Sequence, residues 1–270
     1  MAAFVKALDL GVAGIELDVQ LSADGRIVVY HDLRLKPEIT RNASGEWLRR
    51  QGPPIHTLTY DELQSYDVGR LNPGTRHARQ YPDQVPVDGE RIPLLEDVIT
   101  LLKSSGAGPI LWIELKTDAE QPDIACDPHA LADAVVALLD EHEFLPRSIL
   151  ISFDWRGLLR ARELSSEAML GFLSVERPWL DNIRRRRGGS PWTAGFDVRD
   201  FGGSLPRMVQ AAGGDYWSAH FRDVSRGDIA EARALGIGTN LWTLREWAEK
   251  RTFENLDADF ITTDRPDWFR

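Results

Sequence analysis

Residues 14–32 read GIELDVQLSADGRIVVYHD, and the alternation within them decides the fold. Along an extended chain successive side chains point to opposite faces, so Ile15, Leu17 and Val19 share one side while Glu16 and Asp18 share the other. Asp24-Gly25 is a strong turn signal, so the runs 14–20 and 27–31 are expected to pair as an antiparallel hairpin. On the N-terminal side, Phe4, Ala7, Leu8 and Gly11 follow helical spacing, and Gly11 suits the left-handed closing position. No Ser, Thr, Asp or Asn caps that helix.

On the C-terminal side the chain keeps alternating strand and helix. Residues 36–93 are polar and rich in Gly and Pro, with one short helix opened by the capping box Thr59-x-x-Glu62, and read as an insertion. Pro93 is placed at the first position of a helix running to Leu102. A strand at 110–116 (ILWIELK) precedes a helix capped by Asp127 with Pro128 at its start. Further strands are predicted at 148–153, 169–174, 215–221, 238–244 and 259–264, and Ser225-x-x-Asp228 and Gly236 bracket another helix.

Such alternation favours a parallel sheet with right-handed crossovers. Together with 14–20, these runs make seven strands of barrel type. A TIM barrel has eight, and the first then falls ahead of the opening helix, in keeping with that helix's missing cap. The expectation is an α/β chain, a single (β/α)8-type barrel over 1–270 lacking its first strand.

The 270 residues are 43% apolar and 27% charged, with a net charge of −10. That balance argues against a general nucleic-acid or anionic-membrane binder. The single cysteine, Cys126, excludes an internal disulfide and a four-cysteine zinc framework. The longest apolar run, Ala134–Leu139, is too short to span a bilayer. Lys6 and Asp9 break the only early apolar stretch, so no leader is visible, and cytoplasm and periplasm both stay open because a leader would lie upstream of Met1. Oligomeric state is not legible.

In a barrel the apolar face of 14–20 packs on the helices, which turns Glu16 and Asp18 inward near the strand's C-terminal end. The 110–116 strand repeats the pattern, with Ile113 and Leu115 outward and Glu114 and Lys116 inward. Three acids in a confined mouth repel one another. Two arrangements relieve this: a hard divalent cation such as Mg²⁺ or Ca²⁺ on the carboxylate oxygens, or pairing with Lys116 and arginines. His31, at the end of IVVYH, has an intrinsic pKa suited to acid–base work, although a lone histidine at a strand end also serves as a packing or surface residue.

Taken together, Glu16-Leu17-Asp18-Val19, Ser22-x-Asp24-Gly25 and Val28-Val29-Tyr30-His31-Asp32 resemble the second-strand motif of the glycerophosphodiester phosphodiesterase family. Ile92-Pro93-x-Leu95-Glu96-Asp97, Ile113-Glu114-Leu115-Lys116, Ser152-Phe153-Asp154, Leu241-Trp242-Thr243 and Asp259-Phe260-Ile261-Thr262-Thr263-Asp264-Arg265-Pro266 resemble its later landmarks, in order. The resemblance implies a TIM barrel that hydrolyses glycerophosphodiesters to glycerol 3-phosphate and an alcohol, using a divalent metal. It implies that Glu16, Asp18 and Glu114 hold the cation and that His31 is one of two catalytic histidines. Lys116 and Trp242 would contact the phosphate and the glycerol side of the substrate. The partner is then a small phosphodiester, with no nucleic acid and no stable membrane insertion.

The family begins with a strand ending in His-Arg-Gly, whereas Met1–Phe4 resembles the start of the helix that follows. None of His56, His77, His129, His142 and His220 sits in a matching motif. Reduced activity is therefore an expectation for this chain. A lysophospholipid-directed phosphodiesterase on the same barrel and a non-catalytic barrel that binds metal and phosphodiester are the alternatives. Arg184–Arg187 reads as a solvated run, and Ser152 lacks the partners of a catalytic nucleophile.

Overall fold

The turn chemistry at Asp24-Gly25 works as predicted. In the computed structural model, which describes residues 1–106 and 108–269, β1 (Gly14–Leu21) and β2 (Ile27–Val29) pair antiparallel with Val19 opposite Val29. Gly25 takes the left-handed conformation that the turn requires, with φ 76°. The preceding helix α1 (Ala2–Leu10) closes on Gly11, also left-handed at φ 67°.

β1 then pairs in parallel with β3 (Ile110–Leu115), and the pattern continues through β4 (Ser148–Ser152) and β5 (Met169–Ser174). A small separate hairpin follows β5, made of β6 (Glu176–Arg177) and β7 (Leu180–Asp181). The main sheet resumes with β8 (Tyr216–His220), β9 (Gly238–Leu244) and β10 (Phe260–Thr263). Its order is β10-β9-β8-β5-β4-β3-β1-β2, a curled sheet of seven parallel strands plus the antiparallel β2, in the α/β TIM-barrel class. Among the described residues β10 and β2 form its two edges.

The helices between strands are α4 (Leu95–Ser104), α5 (Pro128–Glu141), α6 (Trp155–Leu164), α7 (Leu205–Ala211), α8 (Arg226–Ala234) and α9 (Lys250–Leu256). Strand parity explains where they pack. Ile15, Leu17, Val19, Leu111, Ile113 and Leu115 are all buried in one core shared with these helices. The other faces meet inside the curl, where Trp112, Ile149, Ile151 and Leu173 form a second cluster with Tyr216, Phe260 and Trp242 packed against it. Trp112 sits edge-on to Tyr216 and Phe260 at 5.1 and 5.3 Å, filling the interior with aromatic rings. Asn240 bridges Ser218 and Thr262 by hydrogen bonds of 2.9 and 3.1 Å in the same interior.

Between β2 and α4 the chain builds its own small core from Tyr30, Leu35, Ile55, Leu63 and Ile92. The predicted capping box opens α2 (Tyr60–Leu63), but a second helix, α3 (Arg76–Gln80), is present in a segment where the sequence predicted only one. Its residues, RHARQ, carry no apolar spacing, so only the Thr75 cap marks it. Pro93 is also not the first helical residue. Leu94 is the cap, and the Pro93 carbonyl accepts a hydrogen bond from Val29 N–H, which ties it to the hairpin instead. This segment reaches the far edge of the sheet, where Tyr81 Oη donates to Asp264 and Arg265 pairs with Asp83.

The Asp127 carboxylate accepts from the N–H groups of His129 and Ala130, both at 2.9 Å, and Leu131 one turn on is fully buried. Asp127→Ala is expected to cost about 1 kcal/mol through the lost cap. Leu131→Ala is expected to cost about 2–5 kcal/mol through the cavity it leaves, and urea denaturation of the two variants measures both.

Candidate active site

The parity that buries Ile15 and Leu17 against the helices turns Glu16 and Asp18 to the inside, and β3 does the same with Glu114. Asp18 lies directly opposite Glu114 in the parallel register, so their carboxylates are neighbours. Lys116 follows on the same side of the chain and turns back over both, with Nζ 2.7 Å from Glu114 Oε1 and 2.9 Å from Asp18 Oδ1. One oxygen from each of Glu16, Asp18 and Glu114 can be chosen so that all three lie within 4.8 Å of one another.

Three acids therefore share one internal cation, and they divide it unequally. Burial raises the Glu16 pKa well above the usual carboxylate range, and Asp18 and Glu114 push it further; Lys116 offsets only part. Part of the Glu16 surface is nevertheless reached by solvent. Burial also pushes Asp18 upward, but Lys116, helped by His31, outweighs it and leaves the group lowered. For Glu114 burial wins over Lys116 and the pKa is raised. Lys116 itself is held well above its ordinary value, because Asp18 and Glu114 overcome its burial.

The donor set fits a hard divalent cation. It is all oxygen, and it carries more negative charge than Lys116 neutralises.

His31 is delivered by the hairpin. Tyr30 N–H donates to the Asp18 carbonyl, and the Gln20 side chain donates to the carbonyls of Tyr30 and Asp32, fixing the chain on both sides of His31. Its ring is 64% exposed, with Nδ1 3.5 Å from Asp32 Oδ1, which leaves Nε2 as the atom open to a ligand. Burial pushes the Asp32 carboxyl up, but His31 and Lys36 outweigh it and hold it lowered.

Trp242 stands on another wall, on β9. It packs edge-on to Phe153 at 5.4 Å and to His220 at 5.2 Å, and its buried Nε1 has no hydrogen-bond partner among the described residues. His220 is the register partner of Trp242 and follows Tyr216 and Ser218 on the inward face. No motif marks it; strand parity turns it inward, and the register of β8 against β9 sets it beside Trp242. Trp179, in the turn of the β6–β7 hairpin, completes the group at 6.3 Å from Trp242.

The discounted signals have structural roles. Ser152 Oγ donates to the Leu115 carbonyl and accepts from Asp154 N–H. Arg184 pairs with Glu120 and Arg185 with Glu176. Among the described residues no helix is long and apolar enough to cross a membrane.

Residues 1–268 match the glycerophosphoryl diester phosphodiesterase family. A glycerophosphodiester phosphodiesterase of Caldanaerobacter subterraneus is 29% identical over 187 residues, covering 68% of this chain and 65% of that relative. A glycerophosphodiester phosphodiesterase of Bacillus subtilis is 28% identical over 263 residues, covering 94% of this chain and 74% of that protein. Among solved structures, a candidate glycerophosphoryl diester phosphodiesterase from Silicibacter pomeroyi superposes with a TM-score of 0.86 at 30% identity. That match covers 99% of this chain and 85% of the other.

The raised pKa of Glu16 has a stability consequence with a definite sign. An acid whose folded pKa is raised favours the native state below its unfolded pKa, near 4.5, and opposes it increasingly as pH rises above that value. In a chelator at pH 8, Glu16→Gln is therefore expected to melt at a higher temperature than the wild type. The gap should close as the pH falls toward 4.5, and scanning calorimetry across that range reads it.

Proposed function

The chain belongs to the glycerophosphoryl diester phosphodiesterase family, a family of phosphoric diester hydrolases, and from that premise we propose that it cleaves glycerophosphodiesters to glycerol 3-phosphate and an alcohol with the help of a divalent cation. The observation that carries this reading is the cluster of Glu16, Asp18 and Glu114 gathered around Lys116. On this reading residues 1–270 are one barrel domain and 36–93 an insertion within it.

Glu16, Asp18 and Glu114 would hold the cation, Mg²⁺ or Ca²⁺ by the hardness of the donors. Bound there, such an ion supplies charge neutralisation to the phosphoryl oxygens. Lys116 supports the same task from the protein side, because its ammonium is held protonated by Asp18 and Glu114 and supplies a fixed positive charge beside the phosphate. His31, with Nδ1 turned to Asp32, moves a proton at Nε2, as base toward the attacking hydroxyl or as acid toward the departing alkoxide. Trp242 offers an apolar face to the glycerol carbons and an unpaired N–H to an oxygen.

The test is release of glycerol 3-phosphate from glycerophosphocholine, with Mg²⁺ or Ca²⁺ and with chelator. Turnover is expected to require the metal, and Glu16→Gln and Glu114→Gln are each expected to abolish the metal-dependent part. Full activity in either variant overturns the metal assignment. His31→Ala is expected to lower kcat by about 10²–10⁴-fold while leaving metal binding in place, as calorimetric titration with the metal alone would show.

A further inference from the structure

Away from the carboxylates, the mouth of the barrel carries a wall of aromatic rings. Trp242 meets Phe153, His220 and Trp179 edge-on, and Trp179 lies 5.9 Å from His220. Two of these rings, Trp242 and His220, come from the C-terminal parts of β9 and β8. Trp179 comes from outside the sheet. Arg177 pairs with Leu180, so Pro178 and Trp179 form a two-residue turn that carries the indole to the wall.

Trp179 is 63% exposed, an unfavourable position for so large an apolar surface. Looseness of the hairpin does not account for it. Arg177 is paired with Asp223, Glu176 N–H donates to Asp223 Oδ2, and Arg185 forks onto Glu176 at 2.8 and 3.0 Å. The hairpin is braced through both residues of β6, and the indole is held out over the mouth.

The charges around this wall cancel locally. Arg177 is neutralised by Asp223, and Arg222 by Glu249 at 2.8 Å. Burial lowers the pKa of His220, and its Nδ1 faces Arg222 N–H at 3.4 Å, so the ring presents a neutral π surface. Among the described residues the wall thus offers ring faces, with Asp223 and Glu249 each paired to an arginine.

Resting on the hydrolase reading above, we propose that Trp179 with His220, backed by the edge of the Trp242 ring whose face is left to the glycerol carbons, forms the subsite for the leaving alcohol and selects a quaternary ammonium alcohol, choline, over a primary ammonium alcohol, ethanolamine. Aromatic faces attract either cation by about 0.5–2 kcal/mol. A primary ammonium must also exchange three water hydrogen bonds for acceptors, and the nearby carboxylates are already committed to arginines. A trimethylammonium group has no N–H to leave unsatisfied. It collects the attraction without the penalty, and its methyl groups cover exposed indole.

The experiment compares kcat/KM for glycerophosphocholine, glycerophosphoethanolamine and the 3,3-dimethylbutyl ester, the uncharged carbon copy of the choline ester, in the wild type, Trp179→Ala and Trp179→Phe. Trp179→Ala is expected to lower the choline value about fivefold more than the ethanolamine value, chiefly through KM, in line with a cation–π contribution of about 1 kcal/mol. Trp179→Phe should keep most of the preference, and the dimethylbutyl ester should lose less than the choline ester. An unchanged choline-to-ethanolamine ratio in Trp179→Ala, or equal losses on all three esters, overturns the proposal. If the wild type hydrolyses none of them with any divalent metal, the hydrolase reading fails by itself. Calorimetric titration with choline chloride then still decides the wall: binding lost in Trp179→Ala supports it, and binding absent or unaffected overturns it.

Discussion

Three carboxylates and one ammonium confined at the mouth of the barrel are the constraint around which the rest is arranged. Their positions follow from the register of two strands, with Asp18 opposite Glu114, and from Lys116 two residues farther along β3. Removing charges from water costs several kcal/mol per ion unless partners compensate, so such a cluster persists only where the surrounding structure forces it together. Here the forcing comes from the apolar faces of the same strands. Ile15, Leu17, Ile113 and Leu115 gain by burial against the helices, and that gain fixes the opposite faces. The excess negative charge left over by Lys116 is what makes the site a candidate for a cation.

One parity rule therefore divides the labour of the whole sheet. The outward faces hold helices, and the inward faces hold layers: aromatic rings at Trp112, Tyr216 and Phe260, polar links among Ser218, Asn240 and Thr262, and functional groups at the mouth. The candidate residues sit on strands or directly after them, as expected where chemistry gathers at the C-terminal ends of barrel strands. The helices supply stability by packing on the outward faces.

Two additions shape the rim. The segment between β2 and α4 has a core of its own and is tied to the end of β10 through Tyr81–Asp264 and Asp83–Arg265. Such exposed pairs contribute little individually, so that segment's own apolar cluster carries most of its stability. The β6–β7 hairpin is too short to have a core and depends on ion pairs and a few backbone links for its position. It brings to the mouth a tryptophan that no barrel strand could place there.

The sequence by itself determined the strands, their parity and most helix caps, because these depend on neighbours a few residues apart. Glu16, Asp18, Glu114 and Lys116 were legible as one inward-facing set for that reason, and Asp24-Gly25 fixed the return of the chain toward His31. The α3 helix escaped because RHARQ has no apolar period, and Pro93 was misplaced because its hydrogen bond goes to Val29 across the hairpin. Tertiary structure alone decided how Lys116 is shared, which carboxyls are raised and which lowered, and that Trp179 and His220 meet Trp242. These depend on distances between strands far apart in the chain, and strand periodicity gives each residue's face without giving its neighbours across the barrel.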